Sequence, residues 1–318
     1  MRIAVTGANG FVGAQVVRSL SPRHEVLAVD SLRYGPWRFS EKERERFRSD
    51  TTDLRHAAAV RSLLAEFRPQ AIIHLAAIHF IPECEQLPHE AVTINIEGTV
   101  NVLAACPEDC RFVYASTAAV YAPSDDALRE SSSAIGPMDV YGYTKLHGED
   151  YVRYFSGARQ LSSVIVRLFN VIGPGETNPH VLPEIIKQLK AGQRRLSLGN
   201  VHPQRDYVYV QDVAAGFIAA ATMPPAQPSP DGPTVVNLGS GTSHSVRELV
   251  DRLSAIIGQE ISISVDPGRV RQVDRPQLLA DIARMRQLFA WAPQTGVDEA
   301  LRLIWERPDF FERRAGNA

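Results

Sequence analysis

Tyr141 and Lys145 stand four residues apart in Tyr141-Gly-Tyr-Thr-Lys145. On a helix, that spacing puts both side chains on one face, one turn apart. A phenol with a reference pKa of about 10 is a poor base at neutral pH. An ammonium beside it favours the phenolate and lowers that value. Such a pair can take a proton from a hydroxyl. Upstream, Ser116 and Thr117 close an apolar run, Arg111 to Ala115, that reads as a strand. A hydroxyl at that strand end can share a substrate proton with Tyr141. In isolation the pair reads far more readily as a packed aromatic and a solvated lysine, so its company decides.

That company opens the chain. Ile3, Ala4 and Val5 form a short apolar run, read as a buried parallel strand. Gly7, Ala8, Asn9, Gly10, Phe11, Val12 and Gly13 follow as a GxxGxxG pattern, and Phe11 to Leu20 reads as an amphipathic helix. A strand that passes through glycines into a helix N-terminus cradles phosphate, because glycine allows close backbone approach and the free N–H groups face the anion. His24 to Val29 reads as a second strand, closed by Asp30. A carboxylate there would hold the adenosine ribose of NAD and repel a 2′-phosphate. Arg33, three residues on, could reach a 2′-phosphate if its loop folded back. The positive charge of a nicotinamide would add to that of Lys145 in favouring the phenolate.

The elements between these sites alternate. Leu54 to Phe67 reads as helix, Ala71 to Leu75 as strand, His89 to Ala105 as helix, Tyr141 to Phe155 as helix and Ser163 to Phe169 as strand. Repeated βαβ units predict an α/β, Rossmann-like doubly wound parallel sheet with right-handed crossovers. Beyond Asn170 the pattern is less regular. Val181–Ala191, Gln211–Thr222, Ser245–Ile257, Asp281–Phe289 and Val297–Glu306 read as helices, with Tyr207–Val210, Val235–Leu238 and Ile261–Val265 extended. Met223–Pro233 holds five prolines and reads as a surface loop. The expected division is a cofactor-binding domain, 1–170 with about 208–240, and a smaller C-terminal α/β substrate-binding domain, 171–207 with 241–318.

Composition narrows the partners. The 318 residues are 44% hydrophobic and 22% charged, with net charge −2. That balance gives no reason to expect nucleic acid or an anionic membrane surface. No apolar window is long enough to span a bilayer, and the chain enters a strand without a signal-peptide pattern. Three cysteines, Cys84, Cys106 and Cys110, are sparse and odd in number. A reducing compartment, the cytoplasm, is expected. Cys106 and Cys110 lack a second ligand pair, so no metal site is expected.

Jointly these motifs resemble an extended short-chain dehydrogenase/reductase of the nucleotide-sugar epimerase and dehydratase group. The resemblance covers nearly the whole chain and implies roles. Thr6–Gly13 resembles the cofactor loop, Asp50-Thr51 the adenine contact, and His74-Leu75-Ala76-Ala77 the stretch under the nicotinamide. Asn95 with Gly98-Thr99 resembles a helix contact with the cofactor. Ser116–Tyr121 resembles the catalytic strand, with Ser116 on the cofactor and Thr117 at the hydroxyl position, and Tyr141 and Lys145 match the catalytic pair, which also touches the cofactor. Arg167–Val171 resembles the segment joining the two pockets, with Phe169 on the cofactor and Asn170 near the sugar diphosphate. His180 and Val181, Leu198-Gly199-Asn200 and Arg205–Val208 resemble the nucleotide-sugar side. Arg271 and Asp274 resemble an Arg-x-x-Asp element that holds diphosphate and ribose.

The implied substrate is a UDP, GDP or dTDP sugar, and the implied opening step is oxidation at C4 to a 4-keto sugar. Relatives that lose water across C5 and C6 carry Asp and Glu after the hydroxyl residue. Here Ala118 and Ala119 stand there, and the cysteine expected of a GDP-fucose synthase-like enzyme is absent from the same place. An NAD-dependent C4 epimerase is therefore expected, with a 4-keto-sugar reductase or unusual dehydratase as alternative and a non-catalytic dinucleotide sensor as the remote one. His79, Glu83 and Cys84 stand where galactose-epimerase relatives carry small residues or lysine, so an extra acid or base and a packing loop both stay open. The resemblance, with the apolar faces of His89–Ala105 and Tyr141–Phe155, also implies a homodimer.

Overall fold

The computed structural model describes residues 1–176, 178–223, 232–270 and 275–307. The chain runs β1 (Arg2–Thr6), α1 (Phe11–Leu20), β2 (Glu25–Val29), α2 (Glu41–Arg44), β3 (Arg48–Asp50), α3 (Ala57–Phe67), β4 (Ala71–His74), α4 (Ile81–Gln86), α5 (Pro88–Val92), α6 (Gly98–Ala105), β5 (Arg111–Thr117), α7 (Val140–Arg159) and β6 (Ser163–Leu168). It continues with β7 (Asn170–Ile172), α8 (Val181–Lys190), β8 (Arg195–Leu198), β9 (Gln204–Tyr209), α9 (Val210–Thr222), β10 (Thr234–Leu238), β11 (Ser243–Ser245), α10 (Val246–Ile257), β12 (Ser262–Val265), β13 (Gln277–Leu278), α11 (Ala283–Phe289) and α12 (Val297–Glu306). Among the described residues, no helix is long and apolar enough to cross a membrane.

Seven parallel strands form the main sheet in the order β10-β6-β5-β4-β1-β2-β3. The chain winds outward both ways from β1, so a crevice opens at the carboxyl ends of β1 and β4. One face carries α1, α9 and α11, whose Val16, Val17, Phe217, Met285 and Phe289 share a core with Ile3, Val5 and Val113. The other carries α3, α6 and α7, through Leu63, Leu64, Leu103 and Val152 against Ile72, Phe112 and Ile165. Strands buried on both faces read as continuous apolar runs, which is why β1, β4 and β6 were visible in the sequence.

A second core gathers α8, α10 and α12 around Ile185, Leu249, Leu253 and Ile304. Strand β9 lies at its edge, pairing β7 and β13 in parallel and β11 antiparallel, while β8 pairs β12. The sequence reading placed everything after 241 in this second unit. Instead α11, with Trp291, returns to the main sheet, where the indole N–H donates to the Asp212 carbonyl at 3.0 Å. Two further expectations shift. The helix expected from Leu54 begins at Ala57, because the Asp53 carboxylate accepts the Arg55 N–H (3.0 Å) and holds an open turn there. The helix expected over His89–Ala105 is interrupted by a π-helical turn, Thr93–Glu97.

Candidate active site

Every residue of β5 is buried, and the strand ends at Thr117. The chain then turns once through a 3-10 turn, Ala118–Val120, whose Ala119 N–H donates to Thr117 Oγ1 at 3.1 Å. Helix α7 begins beside it. The Asp139 carboxylate caps its first turn by accepting the Gly142 N–H (2.7 Å), and Glu85 accepts the Val140 N–H (2.9 Å). A side chain at Gly142 would lie 2.9 Å from the Ala119 carbonyl, so glycine lets α7 approach the turn. Tyr141 thereby meets Thr117, and Lys145 lies one turn deeper, its Nζ 4.4 Å from the centroid of the Tyr114 ring.

Burial acts on both members of the pair. It pushes the Tyr141 phenol up, opposed by the hydrogen bond to Thr117. It pushes the Lys145 ammonium down to about 7, with Glu149 pulling it back up. Glu149 lies one further turn along α7 and is fully buried. Burial alone would raise its carboxyl. Arg167 (2.8 and 2.9 Å), Ser116 Oγ (2.5 Å) and Arg153 (2.8 Å) hold it below the usual carboxylate range. The Ser116 hydroxyl, expected to touch the cofactor, is thus spent beneath the site, although the residue still borders the cavity.

A cavity of about 1420 Å³ runs past Thr117, Tyr141 and Lys145. Pockets for single drug-sized ligands span roughly 300–1,000 Å³, so this one has room for more than one such ligand. Its first half is walled by Gly7, Asn9, Gly10, Phe11, Val12, Gly13, Asp30, Leu75, Ala76, Ala77 and Phe169, all expected there. Gly7 has φ +68°, and a Cβ on it would sit 2.7 Å from the Ala76 nitrogen. A Cβ on Gly13 would sit 2.0 Å from the Gly7 carbonyl oxygen. Asp30 accepts the N–H groups of Asn9 and Leu32, both at 2.9 Å.

The loop after β2 is strapped down over this half. Asn9 donates to the Pro36 carbonyl (3.0 Å) and accepts the Arg38 N–H (2.8 Å). Arg38 reaches the Gly175 carbonyl (2.5 Å), Tyr34 donates to Glu83 (2.7 Å), and Arg33 pairs with Glu90 (2.5 Å).

Two expected cofactor contacts are corrected. Asp50 and Thr51 do not border the cavity; Thr52, Asp53, Leu54 and Arg55 do. The Asp50 carbonyl instead accepts the Asp30 N–H (3.1 Å), and its carboxylate holds Thr52. The polar edge strand β3 gave no apolar signal by which to place its end, and the residues that border the cavity begin after Thr51. Asn95 is also off the wall. It is fully buried in the π-helical turn, accepts the Ile78 N–H (2.8 Å) and donates to the Ile78 carbonyl and Thr144 Oγ1 (both 2.9 Å). It ties the segment after β4 to the catalytic helix.

The second half is bordered by His79, Asn170, His180, Val181, Leu198 and Arg205, as expected, and by Arg38, Arg269 and Arg275, which the sequence reading missed. Arg271 and Asp274 lie outside the described residues. His79 Nε2 meets Asn178 Nδ2 at 2.6 Å, and His180 lies 3.7 Å from Glu176. Burial would raise the Glu176 carboxyl, but His180, His79 and the Asn178 N–H hold it below the usual range. Glu83 and Cys84 do not border the cavity. Glu83 is engaged by Tyr34, and the fully buried Cys84 thiol faces the Ile78 carbonyl, pushed up to about 12 by burial.

Residues 3–239 match the sequence model of the NAD dependent epimerase/dehydratase family. The chain belongs to that family. It is 30% identical to a UDP-glucose 4-epimerase of Mycolicibacterium smegmatis, over 99% of this chain and 100% of that one. It is 28% identical to a GDP-6-deoxy-D-mannose reductase of Pseudomonas aeruginosa, over 96% and 97%. The crystal structure of a UDP-glucuronic acid 4-epimerase from Bacillus cereus, in complex with UDP-glucuronic acid and NAD, superposes with a TM-score of 0.84 at 25% identity, covering 96% of this chain and 98% of that one.

The residues of this family member fit the NAD that the family description names. Gly7 and Gly13 pack too closely on neighbouring backbone to admit any side chain, so the loop keeps its tight turn, and both border the cavity with Asp30 at the end of β2. Among the described residues, no cluster of His, Cys, Asp and Glu is suited to hold a metal ion.

Proposed function

We propose that the protein interconverts nucleoside-diphosphate hexoses at C4 with NAD as resident cofactor. One observation carries the reading: Thr117, Tyr141 and Lys145 share one wall of a cavity with room for a dinucleotide and a nucleotide sugar together. Tyr141 takes the proton of the C4 hydroxyl, and Thr117 shares it through a hydrogen bond. Lys145 stabilises the phenolate and holds the nicotinamide ribose. Bound NAD supplies the hydride acceptor and donor. Once the 4-keto sugar has turned its other face toward the dinucleotide, hydride would return to that face of C4 while Tyr141 returns the proton to the C4 oxygen. Arg205, with Arg271 and Asp274, would grip the diphosphate and ribose, a guanidinium fork suiting phosphate.

Ala118 and Ala119 leave no acid–base pair after Thr117 for 4,6-dehydration. The second reading is a 4-keto-sugar reductase, favoured by the similarity to the Pseudomonas reductase. We place residues 1–170 with 208–240 in the NAD-binding part, α11 packing on it, and most of the remainder in the sugar-nucleotide part. The protein is read as a cytoplasmic homodimer, its three described cysteines unpaired.

The test begins with the dinucleotide released on denaturing the purified protein, which should be NAD and not NADP. Incubation with UDP-, GDP- and dTDP-hexoses, followed by NMR, should then show C4 epimers without added cofactor. Tyr141→Phe should lower turnover by about 10²–10⁴-fold while keeping bound NAD. Near-normal turnover in that variant would refute the mechanism, and no C4 epimers from the panel together with NADPH-dependent reduction of a nucleoside-diphosphate 4-keto sugar would favour the reductase.

A further inference from the structure

We infer that Arg275 is a positioning residue that fixes the Thr117 hydroxyl for Tyr141, an inference that rests on the reading of those two residues above. Arg275 stands just before β13, which pairs with β9 at Gln204 and Arg205. Its backbone belongs to the second unit, but its guanidinium crosses to the catalytic strand. Nη1 donates to the carbonyls of Tyr121 (2.7 Å) and Ala118 (3.3 Å), and Nη2 donates to that of Ala119 (2.9 Å). The side chain is nearly buried and borders the cavity.

These carbonyls belong to the turn that follows Thr117. The Ala118 carbonyl also accepts the Tyr121 N–H at 3.2 Å within the turn, and one planar fork of donors ties that carbonyl to those of Ala119 and of the closing Tyr121. The N–H of Ala119 holds Thr117 Oγ1, so the peptides that Arg275 grips also orient the catalytic hydroxyl. The Ala119 carbonyl, gripped by Nη2, is also the atom against which Gly142 packs to bring α7 in. Arg275 therefore fixes both sides of the Thr117–Tyr141 contact. Its own carbonyl accepts Arg205 Nη1 at 2.9 Å. One peptide thus separates the guanidinium read as a diphosphate anchor from the clamp on the catalytic turn. A lysine cannot reproduce the clamp, since an ammonium is a point charge and not a fork.

The experiment compares Thr117→Ala, Arg275→Gln, Arg275→Lys and the double variant Thr117→Ala/Arg275→Gln, measuring kcat, KM, the pH profile of kcat and bound NAD. Arg275→Gln should lower kcat about tenfold to a hundredfold, as small misplacements of reacting groups do, with KM and bound NAD little changed. The rise of kcat with pH should move to higher pH in Arg275→Gln and Thr117→Ala alike, because both remove the hydrogen bond that favours the phenolate. The double variant should be no slower than Thr117→Ala alone. Arg275→Lys should resemble the glutamine variant, and its double with Thr117→Ala carries the same comparison if glutamine prevents folding. A raised KM at unchanged kcat would assign Arg275 to substrate binding and overturn the inference, as would multiplicative losses in the double variant. If Thr117→Ala left kcat unchanged, the reading of the site would fail first and the clamp with it.

Discussion

Lys145 occupies a position where its charge is hard to keep. Burial has brought its ammonium down to about 7, and the carboxylate of Glu149, one turn away, works to retain it. The energetic logic is local: a positive charge that water does not solvate acts strongly on the nearest phenol. Lys145→Met keeps the bulk and removes the charge, so the Tyr141 proton should leave only at higher pH. We expect turnover near neutrality to fall and to recover partly only above about pH 10, where a phenol begins to ionise unaided, since burial already holds this one above its usual value. A kcat profile whose midpoint does not move would show that the ammonium does not tune the phenol. Glu149 itself escaped the sequence reading, although it sits four residues after Lys145 on the same helix. Its meaning depends on Arg167, a partner on β6 that pattern alone does not bring near.

At the scale of elements, the site hangs on buried polar joints between strands and helices. His74 at the end of β4 joins β1 and α6. Its Nδ1 meets Thr6 Oγ1 at 2.7 Å, and its Nε2 meets Thr99 Oγ1 at 2.9 Å. Thr99 in turn donates to the Asn95 carbonyl at 2.6 Å, within the π-helical turn. Burial and the nearby Lys145 push the His74 imidazole down to about 3 from 6.5, so it stays neutral in the folded protein. The unfolded chain binds a proton there below about pH 6.5 and the folded one does not. Stability at this group is therefore full above pH 6.5 and is lost progressively as pH falls toward 3, by at most about 4–5 kcal/mol at 1.36 kcal/mol per unit. His74→Asn should flatten the acid side of a urea-unfolding stability profile between those values. An unchanged slope would show that another group governs it. Joints of this kind also mark where sequence reading stops. The apolar strands and the helices after them were legible, because burial on two faces demands continuous hydrophobicity. Asn95 was expected on the cofactor and serves as a joint instead, because a polar residue on a helix carries no mark of whether it faces a ligand or a neighbouring loop. Asp50 was displaced by the same lack: Arg48–Asp50 is a strand by pairing with β2 and not by composition.

At the scale of the whole molecule, α5 and α7 expose large hydrophobic side chains among the described residues. Tyr143, Tyr151 and Tyr154 on α7 and Val92 on α5 are exposed large hydrophobics, Tyr154 at 67%. These helices touch, so a two-fold axis beside them would bury a four-helix bundle against its own copy, an isologous arrangement rich in aromatics. Light scattering at micromolar concentration should give about twice 35.1 kDa, and Tyr143→Lys with Tyr154→Lys should halve it while NAD stays bound. A monomer in the unsubstituted protein would remove the dimer from the proposal.

The straps over the loop after β2 set a dwell time. Asn9, Arg38, Tyr34 and Arg33 each anchor that loop to a different part of the chain, one of them to Gly175 across the cavity. A dinucleotide beneath it leaves only when several anchors open together, so its residence should outlast many catalytic cycles. Exchange of bound NAD for isotopically labelled NAD should be slow, and Tyr34→Phe with Arg33→Ala should quicken it. In the epimerase proposed above, the electrons would make a closed loop inside one molecule, lent to the dinucleotide and repaid to the same sugar. Such an epimerase would run at a pace set by its sugar supply, indifferent to whether its surroundings are rich or poor in reducing power.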